Sequence, residues 1–160
     1  MRAAVLTVSD GVAAGTRDDA SGDTLESLLR EEGFEVVRRV VPDDRDDIAA
    51  ALEDLCARAS LVVTTGGTGF GPRDVTPEAT RPLLDREAPG IAEAIRADAL
   101  RRTPHALLSR GVAGLRGATL VVNLPGSPGG CRDGLAVLRP ALRHALELAS
   151  GDTATPHRQT

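Results

Sequence analysis

The chain has 160 residues, of which 41% are hydrophobic and 26% are charged, an ordinary mixture for a globular protein. The formal net charge of −4 and the presence of only two aromatic residues argue against a basic, base-stacking surface for nucleic acid. All 19 basic residues are arginine, which excludes a Walker A phosphate loop because that loop requires a lysine.

Length and hydropathy predict one domain over residues 1–150, large enough to bury a core. The longest apolar runs, such as Leu61–Val63, are too short to cross a bilayer, and the N-terminal residues follow a strand pattern rather than a signal-peptide pattern. We therefore expect a cytoplasmic protein that binds neither a membrane nor nucleic acid. Residues 151–160 have little to pack against and are expected to form a mobile tail.

Strand and helix patterns alternate through the first half of the chain. The sequence Asp23-Thr24-Leu25-Glu26 resembles an acidic capping box and predicts a helix that ends at Gly33. Asp44 is placed to cap the next helix, whose apolar residues recur at helical spacing. The predicted strands of this half are Ala3–Val8, Phe34–Val41 and Leu61–Thr65.

The second half continues the alternation. Thr76-Pro77 predicts a capped helix start with proline at the first helical position, and Ala88–Arg101 predicts a further helix. Residues 106–115 are ambiguous between a short strand and a turn. Ala118–Leu124 predicts another strand, and Pro140 is expected to begin a separate final helix because proline breaks helix interiors.

This alternation predicts an α/β fold, a three-layer sandwich with a mostly parallel sheet flanked by helices on both faces. Ligands of such sheets bind at the carboxyl ends of the strands. The loops that begin at Ser9, Pro42, Gly66 and Pro125 follow four of the predicted strands. We therefore expect these loops to converge on one binding site.

The cluster of Gly66, Gly67 and Gly69 follows a buried strand and precedes a helix, with Thr68 as a further polar contact. Glycines there free the backbone to take positive φ and to point its N–H groups at an anion such as phosphate. A tight turn that happens to be rich in glycine is the alternative. A dinucleotide-binding GxGxxG motif does not fit, because Pro72 or Asp74 falls at the third glycine position.

Two aspartates complete a candidate metal–phosphate site. Asp74 would repel a phosphate unless a divalent metal lay between them, and Mg²⁺ prefers carboxylates together with substrate phosphates. Asp43 lies at the end of a neighbouring strand and is a second candidate ligand. The alternatives are that Asp74 is a surface partner of Arg73 and that Asp43 caps a helix.

A second strand-to-helix loop offers another phosphate cradle. Pro125 and Gly126 shape its backbone, and Asn123 and Ser127 offer side-chain hydrogen bonds. A connection shaped only by proline and glycine is the alternative. Cys131, at a predicted helix N-terminus, is a candidate for a lowered thiol pKa, although nothing in the sequence places a base beside it.

The order and spacing of several short motifs in the chain resemble those of the molybdopterin adenylyltransferases, the MogA/MoaB group related to the G domains of gephyrin and plant Cnx. The resemblance covers about residues 3–150. The motifs that carry it are Val8-Ser9-Asp10, Ser21-Gly22, Pro42-Asp43, Thr64 through Gly69, Arg73-Asp74-Val75-Thr76-Pro77-Glu78, Leu108-Ser109-Arg110 and Asn123-Leu124-Pro125-Gly126.

The resemblance implies that the protein uses Mg²⁺ and ATP to transfer AMP to the terminal phosphate of molybdopterin, with release of pyrophosphate. It implies catalytic and metal-linked roles for Asp43 and Asp74, and nucleotide or phosphate contacts from Gly66–Gly69 and the loop at 123–127. It assigns Ser9, Asp10 and Ser109 to molybdopterin. It also implies a homotrimer, and we expect transient contact with a separate molybdenum insertase.

The sequence departs from the family pattern at Gly129-Gly130, where many members have a lysine. Arg73 and Arg132 are the nearest candidates to supply the missing cation. Two alternatives share the fold: a molybdenum insertase domain, and a non-catalytic trimer that binds molybdopterin as a scaffold. An unrelated nucleotide-binding protein is a third. The presence of both Asp43 and Asp74 favours catalysis.

Overall fold

A computed structural model describes residues 1–151 and contains a mixed sheet between two helical layers. The prediction of a mobile tail falls, apart from Gly151, outside the described residues. The strands are β1 (Arg2–Val8), β2 (Glu35–Val41), β3 (Leu61–Thr65), β4 (Arg86–Glu87), β5 (Ala113–Arg116) and β6 (Thr119–Leu124). The α-helices are α1 (Asp10–Ala13), α2 (Ala20–Glu31), α3 (Arg45–Cys56), α4 (Thr76–Thr80), α5 (Pro89–Leu100) and α6 (Pro128–Ser150).

The sheet has the strand order β2-β1-β3-β6-β5-β4. The first four strands in this order are parallel, and β5 and β4 add an antiparallel edge. Helices α2, α5 and α6 bury their apolar residues on one face of the sheet, and α3 and α4 bury theirs on the other. The predicted three-layer α/β fold with a mostly parallel sheet is therefore confirmed.

The helix boundaries correct two sequence predictions about caps. Helix α2 begins three residues before the predicted capping box, because the carboxylate of Asp19 accepts the Gly22 amide hydrogen at 3.0 Å. Asp23 instead pairs with Arg38 of β2 at 2.5 Å. Thr76 does not cap α4: its hydroxyl donates to the Gly66 carbonyl at 2.9 Å, and Val75 holds the cap position.

Pro140 does not begin a new helix, because it lies inside α6, which is 23 residues long and continues to Ser150. A proline inside a helix costs about 3 kcal/mol through its missing hydrogen bond and its ring clash. Leu135, Leu138, Leu142 and Leu146 are all buried on one side of this helix, both before and after the proline. Burial of this continuous stripe offsets the cost.

The ambiguous segment at 106–115 also resolves. Pro104–Leu108 forms a 3-10 turn, and a connection then leads into the edge strand β5.

The four predicted loops do converge at the carboxyl edge of the parallel strands: the Ser9 amide donates to the Val41 carbonyl at 3.0 Å, and the Thr65 hydroxyl donates to the Pro125 carbonyl at 2.7 Å. No helix within residues 1–151 is long and apolar enough to span a bilayer.

Candidate functional site

The first glycine loop, residues 66–74, needs glycine at its first two positions. Gly66 and Gly67 have φ values of 99° and 68°, the left-handed region that side chains avoid. A Cβ atom on Gly66 would lie 2.2 Å from the Val8 carbonyl oxygen, and one on Gly67 would lie 2.3 Å from the Thr76 hydroxyl oxygen. The predicted positive φ is thus confirmed at these two glycines, whereas Gly69 has an ordinary φ.

Asp74 turns its carboxylate back over this loop. Its Oδ2 accepts a hydrogen bond from the Gly71 amide at 2.9 Å. A Cβ atom on either Gly69 or Gly71 would approach the same oxygen to 2.9 Å. The absence of side chains at these glycines therefore makes room for the half-buried carboxylate of Asp74.

Asp43 is held by a reciprocal pair of hydrogen bonds with Asp10. The Asp10 amide donates to Asp43 Oδ2 at 2.8 Å, and the Asp43 amide donates to Asp10 Oδ1 at 3.0 Å. Arg73 completes the arrangement by donating to both carboxylate oxygens of Asp10, at 2.9 and 3.0 Å. The loops after β1, β2 and β3 are thereby joined around Asp43.

The surroundings of Asp10 and Asp43 shift the pKa values of the two carboxyl groups in opposite directions. The hydrogen bond from Arg73 lowers the pKa of Asp10 below its ordinary value. Burial raises the pKa of Asp43, and the negative charges of Asp10 and Asp74 add to the rise, while the hydrogen bond from the Asp10 amide opposes it. A cation beside Asp43 would stabilise its charged form.

Two cavities open at this edge of the sheet. The larger, of about 580 Å³, has apolar walls from Ile95, Ala99 and Leu108, and Ser109 lies at its side. The smaller, of about 220 Å³, is lined by Asp43 together with Ser9 and Arg17. Three residues line both cavities: Gly67, Asp74 and Gly126. Asp74 therefore stands where the two cavities meet.

The second glycine loop, residues 125–130, is a helix cap. The Ser127 hydroxyl accepts the Gly130 amide hydrogen at 3.1 Å and begins α6, whose N-terminus faces the larger cavity. Asn123 does not face either cavity. It is buried in β6, where its amide group donates to Thr64 at 3.0 Å and to Thr80 at 3.2 Å and accepts from Val112 at 3.1 Å. Its polar atoms are thus used inside the fold.

The three residues assigned to molybdopterin are not brought together in one cavity. Ser9 lines the smaller cavity and caps α1 by accepting the Val12 amide hydrogen at 3.2 Å. Ser109 lines the larger cavity, and Thr68 lies there too. Asp10 is committed to Arg73 and to the Asp43 amide, as described above. The binding roles of these side chains remain predictions.

Cys131 differs from its sequence-based expectation. It is fully buried, and its sulfur lies 3.3 Å from both the Thr65 hydroxyl and the Pro125 carbonyl. Burial raises the pKa of this thiol to about 11, so the expected lowering at the helix N-terminus is wrong. A thiol that is protonated at neutral pH is a poor nucleophile.

The arginines nearest the site are not those that the sequence suggested. Arg73 is already paired with Asp10, and Arg132 lines neither cavity. Arg17 lines the smaller cavity, and its side chain forms no hydrogen bond or ion pair with residues 1–151. Arg17 could not be identified from the sequence, because nothing in the residues around it distinguishes a surface arginine from one that faces a cavity.

Comparison with known proteins places this arrangement in a family. The family model described as a probable molybdopterin binding domain matches residues 4–144. The chain belongs to this family. It is 39% identical, over 92% of its length and 87% of the relative's, to a molybdopterin adenylyltransferase from Helicobacter pylori strain J99. It is 50% identical to the molybdopterin biosynthesis enzyme MoaB from Thermus thermophilus, with a TM-score of 0.88 over 94% of this chain and 96% of that one.

Longer proteins contain a similar segment. The molybdenum cofactor synthesis protein cinnamon from Drosophila melanogaster is 40% identical over 94% of this chain. The match spans 26% of cinnamon, so this chain corresponds to about a quarter of that relative's length.

Asp43 and Asp74 fit the Mg²⁺ that the family resemblance implies, provided that other molecules supply the remaining ligands. Oδ1 of Asp43 and Oδ1 of Asp74 accept no hydrogen bond within residues 1–151, and both carboxylates line the smaller cavity. Residues 1–151 contain no cluster of three or more acidic, histidine or cysteine side chains placed to hold a metal. Two carboxylates suit a metal whose remaining ligands are substrate phosphates and water.

Proposed function

We propose that this chain is a molybdopterin adenylyltransferase of molybdenum cofactor biosynthesis. In this reaction an oxygen of the terminal phosphate of molybdopterin attacks the α-phosphorus of ATP. The bond from that phosphorus to the bridging α,β-oxygen breaks, and the products are adenylylated molybdopterin and pyrophosphate. The observation that carries the proposal is the meeting of two cavities at Asp74, because a transfer between two substrates needs two sites whose reacting ends coincide.

The smaller cavity would hold the metal-bound phosphates of ATP. Asp43 and Asp74 each direct a carboxylate to it, and both have an oxygen available to a ligand. Mg²⁺, when bound there with ATP, would offset the negative charge of the phosphates beside the two aspartates. The reciprocal bonds with Asp10 hold Asp43 in place, and the Gly71 amide holds Asp74.

Arg17 would supply the cation that the absent lysine provides elsewhere in the family. Its side chain lies against Gly11: a Cβ atom built there would lie 3.2 Å from Arg17 Cβ and 3.5 Å from Arg17 Cδ. Asp18, Asp43 and Asp74 also line this cavity, so a triphosphate without a compensating cation would be repelled by their charges. Among the described residues, Arg17 is the arginine that lines this cavity.

The larger cavity would hold the pterin ring system. Its volume of about 580 Å³ and its apolar walls suit a small organic ligand, and Arg96 and Arg102 also line it. Ser109 and the N-terminus of α6 offer hydrogen bonds at its side. The terminal phosphate of the pterin would then reach the shared wall of Gly67, Asp74 and Gly126.

The test is molybdopterin-dependent release of pyrophosphate from ATP and Mg²⁺, compared with a reaction without magnesium. Asp74→Asn should keep the fold and molybdopterin binding but reduce turnover by ~100-fold or more, since it removes a preorganised charge at the reacting phosphates. Arg17→Gln should raise the KM for ATP, whereas Arg132→Gln, the matched surface change, should not. Molybdopterin binding without pyrophosphate release would instead identify a scaffold protein.

Two finer expectations belong to the same proposal. The chain is proposed to form a homotrimer, which light scattering on the purified protein would measure. It is also proposed to hand its product to a separate molybdenum insertase, because adenylylated molybdopterin is the form prepared for metal insertion. A monomer in solution would remove the first expectation without affecting the reaction.

A further inference from the structure

Arg110 joins the segment that follows the 3-10 turn to the first glycine loop. Its backbone amide donates to the Thr68 carbonyl at 2.9 Å. In its guanidinium group, Nε donates to the Gly69 carbonyl at 2.8 Å and Nη2 donates to the Asp74 carbonyl at 2.7 Å. Three carbonyls of one loop therefore accept hydrogen bonds from one residue.

The two guanidinium bonds close the loop between Gly69 and Asp74. An irregular loop has no ladder of hydrogen bonds to fix its shape, and its glycines add conformational freedom. The planar fork of arginine can bind two carbonyl oxygens at a fixed separation, which a lysine ammonium cannot reproduce. The side chain is about two-thirds buried, so the fork is itself restrained.

Glu78 holds the outer side of the same guanidinium. Its carboxylate pairs with Arg110 Nη1, and this contact lowers the pKa of Glu78. Glu78 lies in α4, directly after the loop, so the fork is anchored to a helix as well as to the loop. Glu78 also accepts a longer hydrogen bond, 3.5 Å, from Nη2 but binds none of the loop carbonyls, so Glu78→Gln serves as the comparison variant.

We infer that Arg110 is a positioning residue that fixes the carboxylate of Asp74 at the junction of the two cavities by holding the loop at Gly69 and at Asp74 itself. The inference rests on the proposed function for its effect on catalysis. Arg110 directs its fork at backbone carbonyls of the loop, so it acts through Asp74 rather than on substrate. Loss of the fork would let the loop drift, and a displacement of about 1 Å at a reacting centre can cost on the order of 100-fold in rate.

The experiment is a double-mutant cycle. Arg110→Gln should lower kcat by about 10- to 100-fold, because Asp74 is then held less firmly at the reacting phosphates. Arg110→Lys should not restore the rate, and Glu78→Gln should lower it far less. In an Asp74→Asn background, measured under single-turnover conditions, Arg110→Gln should have little further effect.

A role in overall stability alone predicts a different outcome. Arg110→Gln would then reduce the rate by the same factor in both backgrounds, and that result would overturn the inference. Circular dichroism should show that each variant is folded.

Hydrogen exchange supplies a measurement that does not depend on turnover. Arg110→Gln should accelerate exchange in the peptide that contains Gly71, whose amide binds Asp74, and Glu78→Gln should not. Unchanged exchange would overturn the positioning role even if the enzyme is active. A wild-type protein without adenylyl transfer would overturn the proposed function and the catalytic effect of Arg110, while accelerated exchange would still identify Arg110 as the residue that holds the loop.

Discussion

The two loops at the carboxyl edge of the sheet are both rich in glycine but use it for different reasons. In the first loop, Gly66 and Gly67 take positive φ and lie against backbone or buried side-chain atoms. In the second loop no glycine takes positive φ. Gly126 lies close to Gly66 Cα, whereas a Cβ atom on Gly129 would meet nothing within 4 Å. The first loop depends on glycine for its conformation, and the second depends on it for close packing at only some of its positions.

Because of this difference, substitutions in the two loops affect the fold and ligand binding to different extents. A substitution in the first loop would disturb the position of Asp74 together with the fold, so its loss of activity would have two causes. A substitution at an open position of the second loop leaves the fold alone and tests the ligand directly.

Gly66→Ala should cause the largest loss of stability, on the order of 3 kcal/mol or more, because it combines left-handed strain with a clash against the Val8 carbonyl. Thermal unfolding would measure it. Gly15→Ala is the matched control, since Gly15 has φ of 73° but open space around it, and it should cost about 1–2 kcal/mol. Gly126→Ala, in the second loop, should cost about 1 kcal/mol because its Cβ would lie 3.3 Å from Gly66 Cα. Equal losses at Gly66 and Gly15 would show that the clash is relieved.

Gly129→Ala should have the smallest effect on the fold. Gly129 lies in the first turn of α6 with an ordinary φ, and alanine is favoured over glycine in helices by up to ~1 kcal/mol. The melting temperature should stay the same or rise slightly. Because Gly129 lines the larger cavity, the added methyl group should nevertheless weaken molybdopterin binding, which titration calorimetry would measure. A destabilised Gly129→Ala would contradict the distinction between the two loops.

Local sequence predicted the parts of the fold that follow from local patterns. The apolar runs at β1, β3 and β6 predicted buried parallel strands, and the topology of such strands brought their loops together at one edge. The antiparallel strand β4 has two exposed residues and no apolar pattern, so no local feature announced it. The continuation of α6 through Pro140 depends on burial against the sheet, which is a tertiary effect.

The candidate site shows the same division. Asp43 and Asp74 were identified because a carboxylate beside a phosphate cradle demands an explanation. Asn123 was assigned to the ligand because its loop faces the site, but its side chain faces the core. Arg110 and Arg17 were given no role, because the partners of an arginine depend on segments far away in sequence: Arg110 binds a loop 36 to 42 positions earlier in the chain.

The proposed function requires the triphosphate of ATP and its metal to lie at the wall shared by the two cavities. A crystal structure of the protein with a non-hydrolysable ATP analogue and Mn²⁺ would test it most directly, since manganese is located by its anomalous scattering. We expect one manganese peak in the smaller cavity within ligand distance of Asp43 or Asp74, with the triphosphate against Gly67 and Gly126. A triphosphate and metal bound away from both aspartates would contradict it.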